Sequence, residues 1–365
     1  MNADFQTVIA AADAERRDLF LGAAARLGTA VQNVEKDFWV CWTLDALFNG
    51  LPAGGPRLLF KGGTSLSKAF GLISRFSEDI DITVFRDDLG QGVEAADLEG
   101  LSGKKRRARL DAIRNACQNY IAGPLTAQFT DVAAAAIPGG RFRLEADPDD
   151  KDGQTLLFWY PAVTSIEGDY IRAAVKIEAG AKSALDPHIA ATVTPYVAAD
   201  LPDLNLAIGN VTTVQAERTF WDKIIILHGL RQWYDHRKEL RQEGQRVSRH
   251  YYDIHRLAQA GDAPAWQADH GLAADCATHA RLFFGSPDLG LDTAAVGTFT
   301  LTPDAAMQDA LGRDYAAMSG MIFGDIPPLN TVLASVAALQ EAMNATAPRA
   351  VPSAGSSPRP LLPRR

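Results

Sequence analysis

The sequence predicts an α+β fold, a mixed sheet with flanking helices followed by a C-terminal helical domain. Three observations predict it. Residues 58–84 read as strand, glycine turn, helix and strand. Short strand-like runs separated by Pro, Gly and Asp clusters continue through residues 125–180. Beyond residue 211 the apolar residues recur at helical spacing. The expected divisions are a sheet domain with N-terminal helices over 1–210, a helical domain over 211–345 and a tail over 346–365.

Residues 1–50 read as helices. Val8 to Leu27 is alanine-rich, with Phe20, Leu21 and Leu27 as apolar points. Val34 to Phe48 carries Phe38, Trp39, Trp42, Leu44, Leu47 and Phe48, too many for a surface helix, and is expected to pack on the sheet. Glu35, Lys36 and Asp37 form its charged first turn. Leu51 to Arg57 is a Pro/Gly loop into the first strand.

Leu58, Leu59 and Phe60 make an apolar run that stops at Gly62-Gly63. Thr64 or Ser65 is the expected cap of a helix with Leu66, Ala69 and Phe70 on one face. The following strand alternates. Asp79, Asp81 and Thr83 point one way, and Ile80, Ile82 and Val84 the other. Two carboxylates at i and i+2 on one strand face repel unless a cation sits between them. Mg²⁺ suits that position, because it takes hard oxygen ligands and often uses one or two carboxylates plus substrate phosphates. The Gly62-Gly63 turn offers backbone N–H groups to an anion, with the Thr64 and Ser65 hydroxyls and the Lys68 charge nearby. A carboxylate pair beside a phosphate cradle is equipment for phosphoryl or nucleotidyl transfer. Singly, each feature is commonplace: Gly-Gly-Thr-Ser is a frequent turn, and Asp-x-Asp is usually a solvated strand face. Their order along the chain makes the arrangement specific.

Ser102 opens a helix whose apolar stripe is Leu110, Ile113, Cys117 and Ile121. Lys104, Lys105, Arg106, Arg107 and Arg109 crowd its first turns, where cations oppose the helix dipole. A solvated face is the favoured reading, and a contact to RNA or triphosphate the other. Strands are expected at Leu125 to Phe129, Arg141 to Glu145, Thr155 to Tyr160 and Tyr170 to Glu178. In the last, Val175 and Ile177 face opposite to Lys176 and Glu178. Pro187 to Asn210 reads as an extended connector with one short strand. Thr212 or Thr213 is the expected cap of a helix that buries Phe220, Ile224 and Leu227 and carries Glu217 and Lys223; on composition alone, Lys223 pairs with a carboxylate such as Glu217. A charged loop, Arg231 to Arg249, leads to a second helix ending near Leu257. His228, His236, His250 and His255 lie around it without the spacing of a zinc motif. Helices over Asp269 to Phe284, Pro303 to Met321 and Pro328 to Met343 follow. From Thr346 the chain is rich in Pro, Ala, Ser and Arg and is expected to be disordered.

The 365 residues, 47% hydrophobic and 22% charged, suit a globular protein with a large core. No apolar run approaches the ~20 residues that span a bilayer, and Met1 to Gln6 lacks the basic-then-apolar pattern of a secretory signal. Cys41, Cys117 and Cys276 are widely spaced and fit a reducing cytoplasm. A net charge of −8 argues against a protein that coats nucleic acid over its whole surface, while leaving room for a local basic groove.

Lys61-Gly62-Gly63-Thr64-Ser65-Leu66-Ser67-Lys68, followed by Arg75-x-Ser77-Glu78-Asp79-Ile80-Asp81, resembles the first motif of the AbiEii/AbiGii family. These are nucleotidyltransferase-like toxins of bacterial toxin–antitoxin and phage-defence systems, within the DNA polymerase β-like superfamily. The resemblance covers roughly residues 30–260. Glu35 to Val40 is similar to a helix that often precedes the motif, and Arg172 to Glu178 to the strand that carries a glutamate. The helix with Glu217 and Lys223, then Arg249 to Ile254, resembles the later motifs, with His250 where the family often has a first aspartate. The resemblance implies a nucleotidyltransferase fold with Mg²⁺ held by Asp79, Asp81 and Glu178. It implies an NTP triphosphate seated by Lys61, Gly62, Gly63, Thr64, Ser65 and Lys68, with Lys223 on the phosphates and Asp253 as a further acid. It also implies transfer of NMP to an RNA acceptor such as the tRNA 3′ end, in the cytoplasm, and a cognate antitoxin encoded nearby. Two alternatives stand beside it. One is a small-molecule acceptor such as an antibiotic. The other is a non-enzymatic nucleotide-binding protein, against which the intact Asp79/Asp81 pair speaks.

Overall fold

The structure, a computed structural model, describes residues 1–164, 172–241 and 246–345. The expected tail, the first two positions of the strand expected from Tyr170, and residues 242–245 of the charged loop lie outside the described residues. The N-terminal helices are α1 (Asp4–Ala10), α2 (Asp13–Leu27) and α3 (Val31–Asp45), the last running on into a π-helical turn, Ala46–Gly50. The single helix expected from Val8 to Leu27 is broken. Ala11 and Ala12 are extended, and the Glu15 carboxylate accepts the Ala12 backbone N–H to restart the chain as α2.

Then come β1 (Leu58–Lys61), α4 (Gly62–Lys68), β2 (Asp79–Val84), α5 (Ala95–Glu99), α6 (Gly103–Tyr120), α7 (Thr126–Ala136), β3 (Arg143–Ala146), β4 (Thr155–Trp159), β5 (Ala174–Gly180), β6 (His188–Val193) and β7 (Ile208–Val214). The strand expected at Leu125 to Phe129 is instead the end of a π-helical turn and the start of α7. Leu125, Phe129 and Ala133 are all buried at a spacing of four, which is one helical face. A short apolar run does not by itself separate the two readings. Thr212 and Thr213, expected to cap a helix, lie inside β7, with Thr213 beside Phe60 of β1. The next helix, α8 (Ala216–Arg237), follows Gln215 and extends well into the segment expected to be a loop.

The sheet has seven strands in the order β3-β4-β5-β2-β1-β7-β6. It is mixed: β2 runs antiparallel to β1 but parallel to β5, and β1 runs parallel to β7. Phe60, Ile80, Ile82, Val175 and Ile177 fill one face. That face packs on α3, whose Trp39 and Trp42 meet Phe158 of β4 in ring contacts of 6.2 and 5.3 Å. The opposite face carries Lys61, Asp81 and Glu178 as a row across three strands, in direct register.

The helical part comprises α8, α9 (Ser248–Leu257), α10 (Ala263–Ala268), α11 (His270–Phe284), α12 (Ala305–Ser319) and α13 (Leu329–Ala345). Phe220, Trp221, Tyr251, Ile254, Leu311 and Val336 centre its own core. The sheet strand β7 crosses the 210/211 division expected from the sequence.

Candidate active site

β2 brings Asp79 and Asp81 onto the polar face of the sheet, and β1 ends at the glycine turn beside them. Gly62 has φ +81°, and a Cβ there would collide with the Asp81 carboxylate. Glycine is therefore required twice over, for its backbone conformation and for the approach of Asp81. A Cβ on Gly63 would meet Arg75 Nη2 at 2.5 Å. Lys61 Nζ stands 3.6 Å from Asp81 Oδ1. The two aspartates thus share a face, as the alternation predicts, and Asp81 lies against the diglycine turn.

Asp79 has no hydrogen-bond donor on its carboxylate among the described residues. Burial, reinforced by the negative charges of Glu78, Glu178 and Asp81 and opposed by Lys36, pushes its pKa up to about 7. Glu178, the expected third acid, sits beside Asp81 in the parallel β2–β5 register, but its Oε1 is 2.7 Å from Lys176 Nζ. Among the described residues no three acidic, histidine or cysteine side chains converge into a preformed metal site. Asp79 and Asp81 share a strand face, and Glu178 lines the same cleft. The aspartate pair fits a divalent cation, because its donors are hard oxygens and only Lys61, 3.6 Å from Asp81, offsets its charge at close range among the described residues.

The helix after the turn corrects the phosphate cradle. α4 begins at Gly62 itself, so neither Thr64 nor Ser65 is its cap. Both are fully buried. Thr64 donates its hydroxyl to the Asp79 carbonyl oxygen and lies 2.8 Å from Ser77 Oγ, and Ser65 donates to the Gly62 carbonyl oxygen. Their hydroxyl protons are spent on holding the turn. Lys68 is turned away from the site. Its ammonium lies 2.6 Å from Asp37 Oδ1 and 3.6 Å above the Tyr196 ring, with both charged side chains only 4% exposed. Burial works against that ammonium, but Asp37 outweighs it and holds the Lys68 pKa above the usual lysine range.

The cations come instead from elsewhere. The Asp253 carboxylate is fully buried and accepts Arg75 Nε at 2.7 Å, Arg75 Nη2 at 2.8 Å and Lys223 Nζ at 2.8 Å. Burial alone would raise its pKa; the Arg75 and Lys223 charges overcome that and hold it well below the carboxylate range. Asp253 is therefore ionised and not a proton donor. Lys223 pairs with Asp253, not with Glu217, and burial lowers its pKa. Two cations thus share one anion, and Arg249 adds a third positive charge to the same cleft. Lys61, Asp79, Asp81, Glu178, Arg75, Lys223, Arg249 and His250 all line one cleft of about 540 Å³ between the sheet and α8. Burial keeps His250 neutral.

The chain matches the family model described as "Nucleotidyl transferase AbiEii toxin, Type IV TA system" over residues 45–345. It belongs to the AbiEii nucleotidyltransferase family. Among solved structures, MenT4, a nucleotidyltransferase toxin from Mycobacterium tuberculosis H37Rv, is similar over 89% of this chain and 98% of its own, at 14% identity and a TM-score of 0.39. No curated protein matches. No described helix is long and apolar enough to cross a membrane.

This AbiEii-family chain also brings to the cleft residues for which sequence reasoning assigned no role. Arg75 stood inside the first motif, and its signal was its place between the turn and the acidic strand. Asp222 precedes Lys223 on α8, lines the cleft and lies 3.2 Å from Arg218 Nε. Arg249 stood at the head of the segment that resembles a later motif, with no role assigned to it. The three widely spaced cysteines, Cys41, Cys117 and Cys276, are all buried and free.

Proposed function

We propose that the cleft transfers a nucleoside monophosphate from an NTP to a hydroxyl of an RNA acceptor, such as the 3′ end of a tRNA, with release of pyrophosphate. The toxin acts in the cytoplasm and is held in check by a cognate antitoxin encoded nearby. The observation that carries this reading is the carboxylate pair of Asp79 and Asp81 facing, in one cleft, a group of cations in excess of their counter-ion. An NTP with its metal is the complementary charge pattern.

Asp79 and Asp81 would hold Mg²⁺, which supplies charge neutralisation at the reacting phosphate when bound. Arg75, Lys223 and Arg249 bind the triphosphate. Asp253 is a positioning residue that fixes the Arg75 and Lys223 head groups. Glu178, beside Asp81 and partly exposed, is the base for the acceptor hydroxyl proton. Lys61 screens Asp81 across the strand pair.

The test is incubation of the purified protein with each labelled NTP, Mg²⁺ and total RNA. One labelled RNA species is expected from wild type. Asp79→Ala and Asp81→Ala should cut incorporation by at least ~100-fold with unchanged far-ultraviolet circular dichroism. Wild-type incorporation by either variant refutes the site; label entering no RNA refutes the acceptor.

A further inference from the structure

The cleft has a second half that phosphate and metal chemistry does not use. Of the large apolar side chains exposed among the described residues, only Ile226 and Phe284 line it, 40% and 49% exposed. They belong to one wall. On α8, Lys223, Ile226 and Leu230 recur at spacings of three and four, which places them on one helical face, with Asp222 at its edge. On α11, Ala280 and Phe284 continue that wall, with Leu289 packed beyond Gly229. His279 lies behind, stacked on Phe283 with ring centroids 4.2 Å apart and planes 14° apart, its Nε2 donating to the Lys182 carbonyl oxygen. Burial keeps that imidazole neutral.

α8 also sets the distance between the halves. At ~1.5 Å rise per residue, Ile226 stands ~4.5 Å along the axis from Lys223, and Leu230 ~10.5 Å. A ligand anchored by its phosphates at Lys223 and extending along α8 therefore brings the rest of its body onto the apolar wall. Small-molecule sites of roughly 300–1,000 Å³ pair an apolar lining with a few placed polar groups, and this cleft falls in that range. A flat aromatic ring left open in the same cleft as a phosphate anchor is a surface on which a nucleobase can stack, since every base has a π-face.

We infer that Phe284 and Ile226 form the nucleobase subsite of the incoming NTP. The inference rests on the proposed function and deepens it, by assigning where the nucleoside lies and which side chains hold it.

The test compares two probes on the full chain with Mg²⁺ present: each of the four NTPs, and inorganic tripolyphosphate, which has the anchor without the base. Phe284→Ala should weaken binding of all four NTPs roughly tenfold and leave tripolyphosphate affinity unchanged. Phe284→Trp should restore NTP binding. Phe284 is half exposed, so the substitution leaves the core intact. NTP affinity equal to wild type in Phe284→Ala overturns the inference while the proposed function stands. Equal losses for NTP and tripolyphosphate overturn it as well, since the effect is then not on the base. Unchanged NTP binding with a raised KM for RNA assigns the wall to the acceptor's terminal base and likewise overturns it. A wild-type protein that binds neither probe removes both readings.

Discussion

Arg75 and Lys223 share a single carboxylate, that of the fully buried Asp253, at 2.7 to 2.8 Å. Removing one member of such a buried group costs more than the group contributes, because the others stay charged and unpaired. Asp253→Asn should therefore lower unfolding free energy by ~3–5 kcal/mol, read by urea denaturation. Asp81→Asn, at a half-exposed position with only Lys61 at 3.6 Å, should change it by less than ~1 kcal/mol. A large loss in Asp81→Asn, or none in Asp253→Asn, would reverse these assignments. At this scale, Asp79 and Asp81 were legible because a strand's period of two puts them on one face whatever the fold. The role of Asp253 was not. Its partner Arg75 is 178 positions away in sequence, and no local pattern reports such a distance.

At the scale of elements, α3 and α4 are locked by a charge pair instead of by apolar contact alone. Asp37 holds Lys68 through one oxygen and the Tyr196 backbone N–H through the other. Neighbouring residues of α3 do similar work: Glu35 accepts the Val163 and Thr164 N–H groups, and Lys36 pairs with Glu78. Because α3 starts at Val31, Glu35, Lys36 and Asp37 lie in its second turn and not in the first turn expected from the sequence, and they are a buried linchpin between helix, sheet and loop. Lys68→Met should destabilise by ~3–5 kcal/mol by leaving Asp37 charged and alone. Lys68→Met combined with Asp37→Asn should recover at least half of that, since asparagine still accepts the Tyr196 N–H. Thermal unfolding of the two variants checks it. A Lys68→Met protein of wild-type stability with lost NTP binding would return Lys68 to the phosphate site.

For the molecule as a whole, α11 joins the two large cores. Leu282 and Phe283 belong to the core under the sheet, while Ala273 and Cys276 belong to the helical one. His279 lies between, and burial lowers its pKa from 6.5 to about 4. The unfolded chain takes up the proton first, so this group's share of stability is present above pH 6.5 and lost as pH falls toward 4. His279→Gln should make the decline of unfolding free energy between pH 6.5 and 4.5 shallower by about 2 kcal/mol. Equal slopes in the two proteins would place the acid sensitivity elsewhere.

The sequence by itself determined the strand–turn–helix–strand unit, the shared face of Asp79 and Asp81, the helical C-terminal region and the family. Each is written in a local period or a contiguous motif, and backbone geometry translates such patterns directly. Only the tertiary structure decided that Thr64, Ser65 and Lys68 are spent inside the fold, that Glu178 turns to Lys176, and that Arg75 and Lys223 meet at Asp253, with Arg249 lining the same cleft. A charged side chain reads the same along the chain whether it faces a ligand or a buried counter-ion. Which it faces depends on the elements that fold against it from far along the sequence.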